Sequence, residues 1–347
     1  MPPSLTSSPH NTQTTQPTTT LPSPLHFDWT FTAVTSIYTG NVNREPLRLI
    51  PTGILGSIRW WFEVIVRGLG GKPCDPTDSS HCPDPNKKPK DPRHHCVVCE
   101  LFGCTNWSRK FRLLILDNNQ KIITKQIQPD LCFTLRFIQL RPICPEEWSL
   151  LDLTLKFIAH YAAIGAKTVL KPSDEQDRAD IDHHKDYGLI TLETSPNLGT
   201  PGKTLNDLKQ YLQPSRWHHS FNDSAFSWAS LKNFWFVKEK YLTRIDSDTS
   251  TFNRLLGIPE KKPNARFRWQ ESQNDGKNSW LAGDIRQSKK VFSFKTPGHA
   301  RTYGFAQDDK HFGSIKDTLE EIWNRNFKIL RGEQILDTLL SQSTPSH

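Results

Sequence analysis

The stretch "RLIPTGILGSIRWWFEVIVRGLGG" (48–71) decides the fold, because it predicts one long helix with a broad apolar face. Thr52 is placed to cap the start of this helix, and Gly68 and Gly70 are placed to end it. The residues that recur at helical spacing are all apolar: Ile54, Leu55, Ile58, Trp61, Phe62, Ile65, Val66 and Leu69. A face of this width predicts a helix that builds the core.

The segments on either side of this helix predict a mixed α+β domain. Residues 27–34 alternate aromatic and polar side chains, as a half-buried strand does. Further along the chain come two strands, a second helix and a last strand, predicted at 111–116, 131–140, 146–165 and 187–192. The order strand, helix, two strands, helix, strand is that of a ferredoxin-like βαββαβ unit enlarged by insertions.

Composition divides the rest of the chain. Residues 1–26 are Ser, Thr and Pro-rich and predict a disordered tail, because they lack the apolar content to offset ordering entropy. The ferredoxin-like domain is expected at 27–195, with a Cys-rich insertion at 72–104. After a Pro/Gly break, residues 204–343 predict a second, smaller α+β unit whose strand order the sequence leaves open.

Charge and hydropathy narrow the class of protein. The 347 residues include 44 Lys and Arg against 36 Asp and Glu, a net charge of +8. This moderate excess suits an anionic partner without proving one, since lysine-rich solvated surfaces are common. The sequence contains no run of about 18 apolar residues, so it predicts no membrane span. Its N-terminus has no basic segment followed by an apolar core, so it predicts no secretory signal. We therefore expect a cytoplasmic protein with no membrane contact.

The cysteines indicate a metal site. Five of the seven lie between Cys74 and Cys104, in "CDPTDSSHC" (74–82) and "HHCVVCELFGC" (94–104). A C-x-x-C pair and a second pair from a nearby loop can complete a tetrahedral, structural zinc site with no position left for water. The predicted ligands are Cys74, Cys82, Cys96 and Cys99, and the possible substitutes are His81, His94, His95 and Cys104. The alternative is that these are free thiols in a loop.

Cations beside small residues suggest contacts with a polynucleotide backbone. Gly53, Ser57 and Arg59 open the first helix, whose free N–H groups can hold a phosphate while Arg59 adds a bidentate contact. Gly165 and Lys167 form a second such junction after the second helix. The alternative for Arg59 is an ion pair with Glu63 on a solvated helix face.

A third basic stretch, "NWSRKFR" (106–112), places Arg109 and Lys110 beside Trp107. An aromatic ring next to cations is the composition that stacks bases and neutralises phosphates. Taken singly, each of these features is more often explained by core packing or by a solvated surface than by RNA binding. Together with the net positive charge they make nucleic acid the favoured partner.

The histidines do not form a recognisable catalytic motif. No triad spacing, H-E-x-x-H motif or Walker loop is present. The histidines weighed as general bases are His160, His183, His184, His218, His219 and His299. We assign them no role, and His160, on the second predicted helix, is the strongest candidate among them.

Three segments resemble one family, the RAMP superfamily of CRISPR proteins. After an aromatic strand and a short loop, residues 51–61 read Pro-x-Gly-x-x-Gly-Ser-x-Arg-x-Trp, which resembles that family's helix motif. "CELFG" (99–103) is similar to its "LFG" segment, and "AAIGAKT" (162–168) resembles its later glycine-rich loop with fewer glycines. Within the superfamily, the doubled tryptophan and the cysteine-bearing insertion resemble the subunit-one family of the type III-B Cmr effector complex.

The resemblance implies a ferredoxin-like fold that grips RNA inside a ribonucleoprotein. The implied partners are guide RNA, target RNA and other Cmr subunits, and Gly53, Ser57, Arg59 and Gly165 occupy motif positions. Related subunits that cut target RNA carry an aspartate between the first strand and helix, whereas "YTGNVNREPLRL" (38–49) has none. The resemblance therefore implies a non-catalytic, RNA-binding subunit. The alternatives are a metal-independent endoribonuclease that processes guide RNA with a histidine base, and a zinc-stabilised protein-interaction module.

Overall fold

The structure is a computed structural model that describes residues 25–40, 48–75, 79, 81–166, 172–178, 181–198, 203–213, 215–218, 226–258, 279–283 and 288–341. The strands are β1 (His26–Ala33), β2 (Phe111–Leu116), β3 (Cys132–Gln139), β4 (Ile190–Thr194), β5 (Phe234–Lys238), β6 (Val291–Phe294), β7 (Arg301–Phe305) and β8 (Ile329–Arg331). The helices are α1 (Pro51–Gly68), α2 (Val97–Phe102), α3 (Pro145–Tyr161), α4 (Leu205–Tyr211), α5 (Thr251–Leu255), α6 (Ser279–Ala282), α7 (Asp309–Trp323) and α8 (Gly332–Ser341). The predicted tail lies almost wholly outside the described residues.

The first sheet has the predicted strand order. Its strands run β2-β3-β1-β4 with antiparallel neighbours, and α1 and α3 connect β1 to β2 and β3 to β4. Trp29 pairs with Leu135, which pairs in turn with Ile115, so the three buried side chains lie on one face. This arrangement is the βαββαβ order expected from the sequence.

The second sheet repeats that order. Its strands run β6-β7-β5-β8, again with antiparallel neighbours. The short helices α5 and α6 lie between β5 and β6, and α7 lies between β7 and β8. The expected second α+β unit is present, and its strands follow the sequence of positions seen in the first sheet.

The two sheets share one layer of helices. Aromatic rings on one face of the second sheet pack against that layer. The ring centroids of Phe157 of α3 and Phe234 lie 5.0 Å apart, and those of Tyr161 and Phe236 lie 5.1 Å apart. The other face of the second sheet carries Trp235, which packs in a separate core with residues of α5 and α7 such as Phe252. The layers are therefore sheet, helices, sheet, helices, with α1 and α3 buried between the two sheets.

The start of α1 differs from expectation. The predicted cap by Thr52 is wrong: α1 begins at Pro51, and its N-cap is Ile50, which makes no side-chain capping bond. Proline at the first helical position fixes φ and has no N–H to satisfy, so the helix begins two residues earlier. The Ile50 N–H instead donates to Thr39 Oγ1 at 2.8 Å.

Two sets of hydrogen bonds join the two units. Asp186, in the loop before β4, accepts hydrogen bonds from the N–H groups of Lys295 and Thr296, both at 2.8 Å, and from the Thr296 hydroxyl at 2.7 Å. Arg301 of β7 donates to the carbonyl oxygens of Ala159 and Ala162 at 3.2 and 3.3 Å, which satisfies the C-terminal end of α3.

Asp186→Ala should lower the free energy of unfolding by about 1.5–3 kcal/mol, because it removes a charged acceptor of three hydrogen bonds. Urea denaturation followed by fluorescence measures this loss. The control is Asp182→Ala, since Asp182 is exposed and pairs with Lys185 at 3.5 Å, a surface interaction worth about 0.5 kcal/mol or less. Equal losses in the two variants would contradict the inter-unit role of Asp186.

Candidate metal centre and nucleic-acid interface

Four cysteine thiols meet in a buried cluster beside α1. Cys74 and Cys82 come from the segment after α1, Cys96 is the N-cap of α2, and Cys99 lies in the first turn of α2. Their sulfur atoms all lie within 4.8 Å of one another, and Cys74 Sγ is 3.6 Å from Cys99 Sγ. Tetrahedral zinc with Zn–S bonds of about 2.3 Å places its sulfurs about 3.8 Å apart. The cluster therefore has the donor type and spacing of a four-thiolate metal site.

Backbone donors support the sulfurs. The Cys96 N–H lies 3.1 Å from Cys82 Sγ, and the Cys99 N–H lies 3.5 Å from Cys96 Sγ. Burial raises the pKa of the Cys96 thiol, but hydrogen bonds with the thiols of Cys74, Cys82 and Cys99 outweigh burial and hold that pKa well below its usual value. Contacts with neighbouring thiols and burial instead raise the pKa values of Cys74, Cys82 and Cys99. The protein's own groups therefore favour one thiolate of the four, and metal binding would have to release the protons of the others.

The substitute ligands lie outside the thiol group. Within the described ranges, Cys74, Cys82, Cys96 and Cys99 are the only set of three or more side chains of His, Cys, Asp or Glu placed to share a metal ion. His94 and His95 are buried, but their Nδ1 atoms lie 2.9 Å from each other, and His95 Nε2 bonds to Glu100. His81 is exposed. These three histidines are therefore not part of the thiol group.

Lys110, predicted to contact RNA, lies in a buried ion-pair network. Its ammonium group is 2.8 Å from Glu147 Oε1 and also pairs with Glu100. Tyr211 donates to the same Glu147 carboxylate at 3.0 Å. Burial raises the pKa of Glu100, but bonds from His95 and Lys110 outweigh it and bring that pKa to about 2. With two carboxylate partners, Lys110 holds α2 to α3.

Arg59, also predicted to contact RNA, turns toward the thiol cluster. Its Nη2 lies 3.3 Å from Cys99 Sγ, its Nη1 donates to the Gly103 carbonyl at 3.0 Å, and its Nε donates to Glu63 at 3.1 Å. The side chain of Glu63 is 9% exposed and that of Arg59 is 28% exposed, so the pair that the sequence offered as an alternative does form, on a partly buried face of α1. All three nitrogen positions of this guanidinium have partners within the chain.

The predicted glycine-bearing junctions do come together. The Gly165 N–H donates to Ser57 Oγ at 3.1 Å. Gly165 has φ +115°, and a Cβ there would meet the carbonyl oxygen of Tyr38 at 2.7 Å, so only glycine fits. Gly53 packs against Thr39, 3.2 Å from the position its Cβ would take. The N-terminal end of α1, the loop after β1 and the loop after α3 therefore form one surface.

Sequence reasoning missed Tyr38 and Thr39, which complete this junction. Neither carries a motif signal, because their roles depend on tertiary contacts of the backbone carbonyl and the hydroxyl. Pro51 and Thr52, at the tip of the junction, are exposed. Lys167 lies outside the described residues.

The basic stretch 106–112 divides between interior and surface. Trp107 lies between His95, with ring centroids 4.3 Å apart, and Arg141, whose guanidinium carbon is 4.3 Å from the ring. This ring is therefore occupied by the protein's own side chains. Arg109 and Arg112 are exposed. Of the two cations of this stretch predicted to contact RNA, Arg109 therefore lies at the surface and Lys110 does not.

His160 is exposed in the last turn of α3. Partial desolvation of its ring by the surrounding protein, followed by the charges of Arg301 and Lys156, lowers its pKa below the usual value. His184 is buried, His219 lies outside the described residues, and the side chain of His183 is likewise outside them. The histidines weighed as general bases therefore stay without an assigned role.

The comparison with family models agrees with the sequence motifs. Residues 30–170 match the family model of the RAMP superfamily. A comparison with curated protein sequences finds no match. Among solved structures, the crystal structure of apo Cmr1 from Pyrococcus furiosus aligns with a TM-score of 0.38 and 12% identity, covering 92% of this chain and 97% of that one.

The described helices include none that is both long and apolar enough to cross a membrane. The segment matched by the family model contains α1, the thiol cluster and the glycine junction. The resemblance to the RAMP superfamily is confirmed over residues 30–170, the segment that matches that superfamily's model.

Proposed function

We propose that this protein is a non-catalytic, RNA-binding subunit of a type III-B CRISPR-Cas (Cmr) ribonucleoprotein effector in antiviral defence. The observation that carries the proposal is the RAMP match over 30–170, a segment whose glycine-bearing elements converge at the open end of α1. The doubled tryptophan and the cysteine-bearing insertion favour the Cmr assignment. The proposed partners are guide RNA, target RNA and the neighbouring Cmr subunits.

The proposed RNA-contacting surface is the glycine junction. The first turn of α1 has no acidic residue and no side-chain cap, so its N–H groups and partial positive charge favour a phosphate. Gly53, Ser57 and Gly165 allow the three segments of the junction to pack closely and so shape the surface that the RNA backbone would meet. Arg109 and Lys167 would supply charge. Arg59 and Lys110 leave the set first predicted from sequence, because their charged groups are already paired inside the protein.

We further propose that the thiol cluster holds one structural zinc ion. Cys74, Cys82, Cys96 and Cys99 would be its four ligands, a set that leaves no coordination position for a reacting water. The bound ion would fix the 72–104 insertion against α1. This residue set supplies folding free energy to the insertion and no chemistry to a substrate.

Arg109→Ala should weaken binding of single-stranded RNA by about 1 kcal/mol across sequences, because it removes one phosphate contact. Fluorescence anisotropy of the full chain with labelled RNA, repeated across a salt series, should also show the salt slope reduced by about 1. The control is Lys316→Ala on α7, where Lys316 pairs with Glu320. An Arg109→Ala affinity equal to that of the control would remove Arg109 from the interface.

The same preparations test the absence of catalysis. Precursor guide RNA incubated with the full chain in a chelator should remain intact. Specific cleavage that disappears in His160→Ala would overturn the non-catalytic proposal and favour a metal-independent endoribonuclease. Binding without any salt dependence would favour a protein-interaction module.

A further inference from the structure

Arg59 stands at the junction of α1 and the thiol cluster. It contacts the sulfur of Cys99 through Nη2, at 3.3 Å, while its other terminal nitrogen bonds the Gly103 carbonyl that ends α2. One planar group thus touches a ligand atom and the backbone four residues further along the chain. Neither contact is predicted by the RAMP motif in which Arg59 lies.

A row of charges on α1 supports this contact. Arg59, Glu63 and Arg67 are spaced four residues apart on α1, and Glu63 lies 3.1 Å from Arg59 and 3.6 Å from Arg67. Arg67 also donates to the carbonyl of Ala229 at 3.2 Å. Glu63 contacts both guanidinium groups, so Arg59 is held by its own helix as well as by the Cys99 sulfur and the Gly103 carbonyl.

The charge of the centre gives this row its chemical role. Four thiolates and one divalent ion carry a net charge of −2, which is costly to bury unless it is paired or hydrogen-bonded. Asp75, buried next to Cys74, adds to that negative charge. Arg59 and Arg67 supply two positive charges from α1, one of which Glu63 offsets. An N–H bond to a ligand sulfur also orients that ligand, as outer contacts of metal sites do.

We propose that Arg59 is a positioning residue of the metal centre, whose guanidinium fixes the Cys99 thiolate and shields its sulfur from electrophiles. This inference rests on the proposal that the cluster binds zinc. Arginine is required because its fork reaches a sulfur and a carbonyl oxygen together, whereas the single ammonium of lysine reaches one at a time. The motif arginine thereby serves the fold of the insertion rather than RNA.

The test compares Arg59→Gln, Arg59→Lys and native full-length protein, with Arg254→Gln as the control. Arg254 is a surface arginine of α5 paired with Glu321 at 2.9 Å, so this control loses the same charge away from the centre. Zinc affinity is measured by competition with a chromophoric chelator. Alkylation by N-ethylmaleimide is followed by mass spectrometry at each cysteine, and cobalt-substituted protein reports the sulfur-to-metal charge-transfer band.

Arg59→Gln should bind zinc about 10–100-fold more weakly, the usual cost of removing an outer-shell contact. Cys99 should become the first cysteine of the cluster to be alkylated, and the cobalt band should shift. Arg59→Lys should have a zinc affinity, a Cys99 alkylation rate and a cobalt band between those of Arg59→Gln and native protein. If Arg59→Gln does not fold, the comparison is made with Arg59→Lys. Arg254→Gln should match native protein throughout.

Two outcomes overturn the inference, and they are distinguishable. Native protein that takes up neither zinc nor cobalt removes the metal proposal and this inference with it. Native protein that binds one metal ion, with unchanged affinity, alkylation order and cobalt spectrum in Arg59→Gln and Arg59→Lys, removes the inference and leaves the zinc site standing.

Discussion

Native protein purified with zinc should contain one zinc ion per chain, and Cys99→Ser should contain none. Serine oxygen is a poor zinc ligand, and the three remaining thiols cannot close the tetrahedron. In zinc-finger peptides the ion supplies about 10–16 kcal/mol of apparent binding free energy, which sets an upper bound on the stability lost. We expect a several-degree fall in the unfolding temperature and proteolytic cleavage within 72–104. Metal analysis and limited proteolysis measure these effects.

Cys132→Ser is the matched control for this prediction. Cys132 is a free thiol of β3 that is only partly buried and lies outside the thiol cluster. This variant should keep one zinc ion and native resistance to protease. Zinc retained at full occupancy in Cys99→Ser, or an unchanged unfolding temperature, would contradict the assignment of Cys99 as a ligand.

Trp61→Ala should lower the free energy of unfolding by about 3–5 kcal/mol, the usual loss for a large buried aromatic side chain. Trp61 is 5% exposed, and its Nε1 donates to the carbonyl of Ala163 at 3.0 Å. Its ring lies 5.3 Å from Phe157 in the shared helical layer and 5.9 and 6.4 Å from Tyr303 and Phe305 of the second sheet. Chemical denaturation monitored by circular dichroism measures the loss.

The neighbouring tryptophan provides the control. Trp60 is only partly buried, and its ring contacts Phe226 and Trp228 at 5.9 and 6.0 Å. Trp60→Ala should cost less than half as much as Trp61→Ala. If the two alanine variants were equally stable, Trp61 would not be the residue that joins the units. Trp61→Phe, which keeps a ring and loses one hydrogen bond, should cost about 1 kcal/mol beyond the change in packing.

The first unit was predictable because its elements have clear periodicity. The strand 111–116 has the predicted bounds, and α1 ends at Gly68 as the glycines indicated. The predicted second helix extends to 165, but α3 ends at Tyr161, since its last turn is closed by Arg301 from another strand. The order of the second sheet was not predictable, because its strands have three to five residues and weak turn signals.

The candidate site was predictable where spacing carries the information. The C-x-x-C pair and its two upstream cysteines meet as the pattern indicates. Arg59 and Lys110 could not be placed from sequence, because a cation looks the same in the chain whether it faces solvent or a buried carboxylate. Their partners, Cys99 and Glu147, lie 40 and 37 residues away. Only the tertiary fold brings these groups together.

The shared layer of α1 and α3 also limits how this protein can be divided. A fragment holding the second sheet alone would leave Phe234, Tyr303 and Phe305 facing water, since the first unit supplies the rings that cover them. A fragment ending before that sheet would likewise expose one face of the Trp61 ring to water. We therefore expect neither half to fold stably alone. During synthesis, the aromatic side chains of the amino-terminal half that face the second sheet stay exposed until the strands of that sheet have left the ribosome.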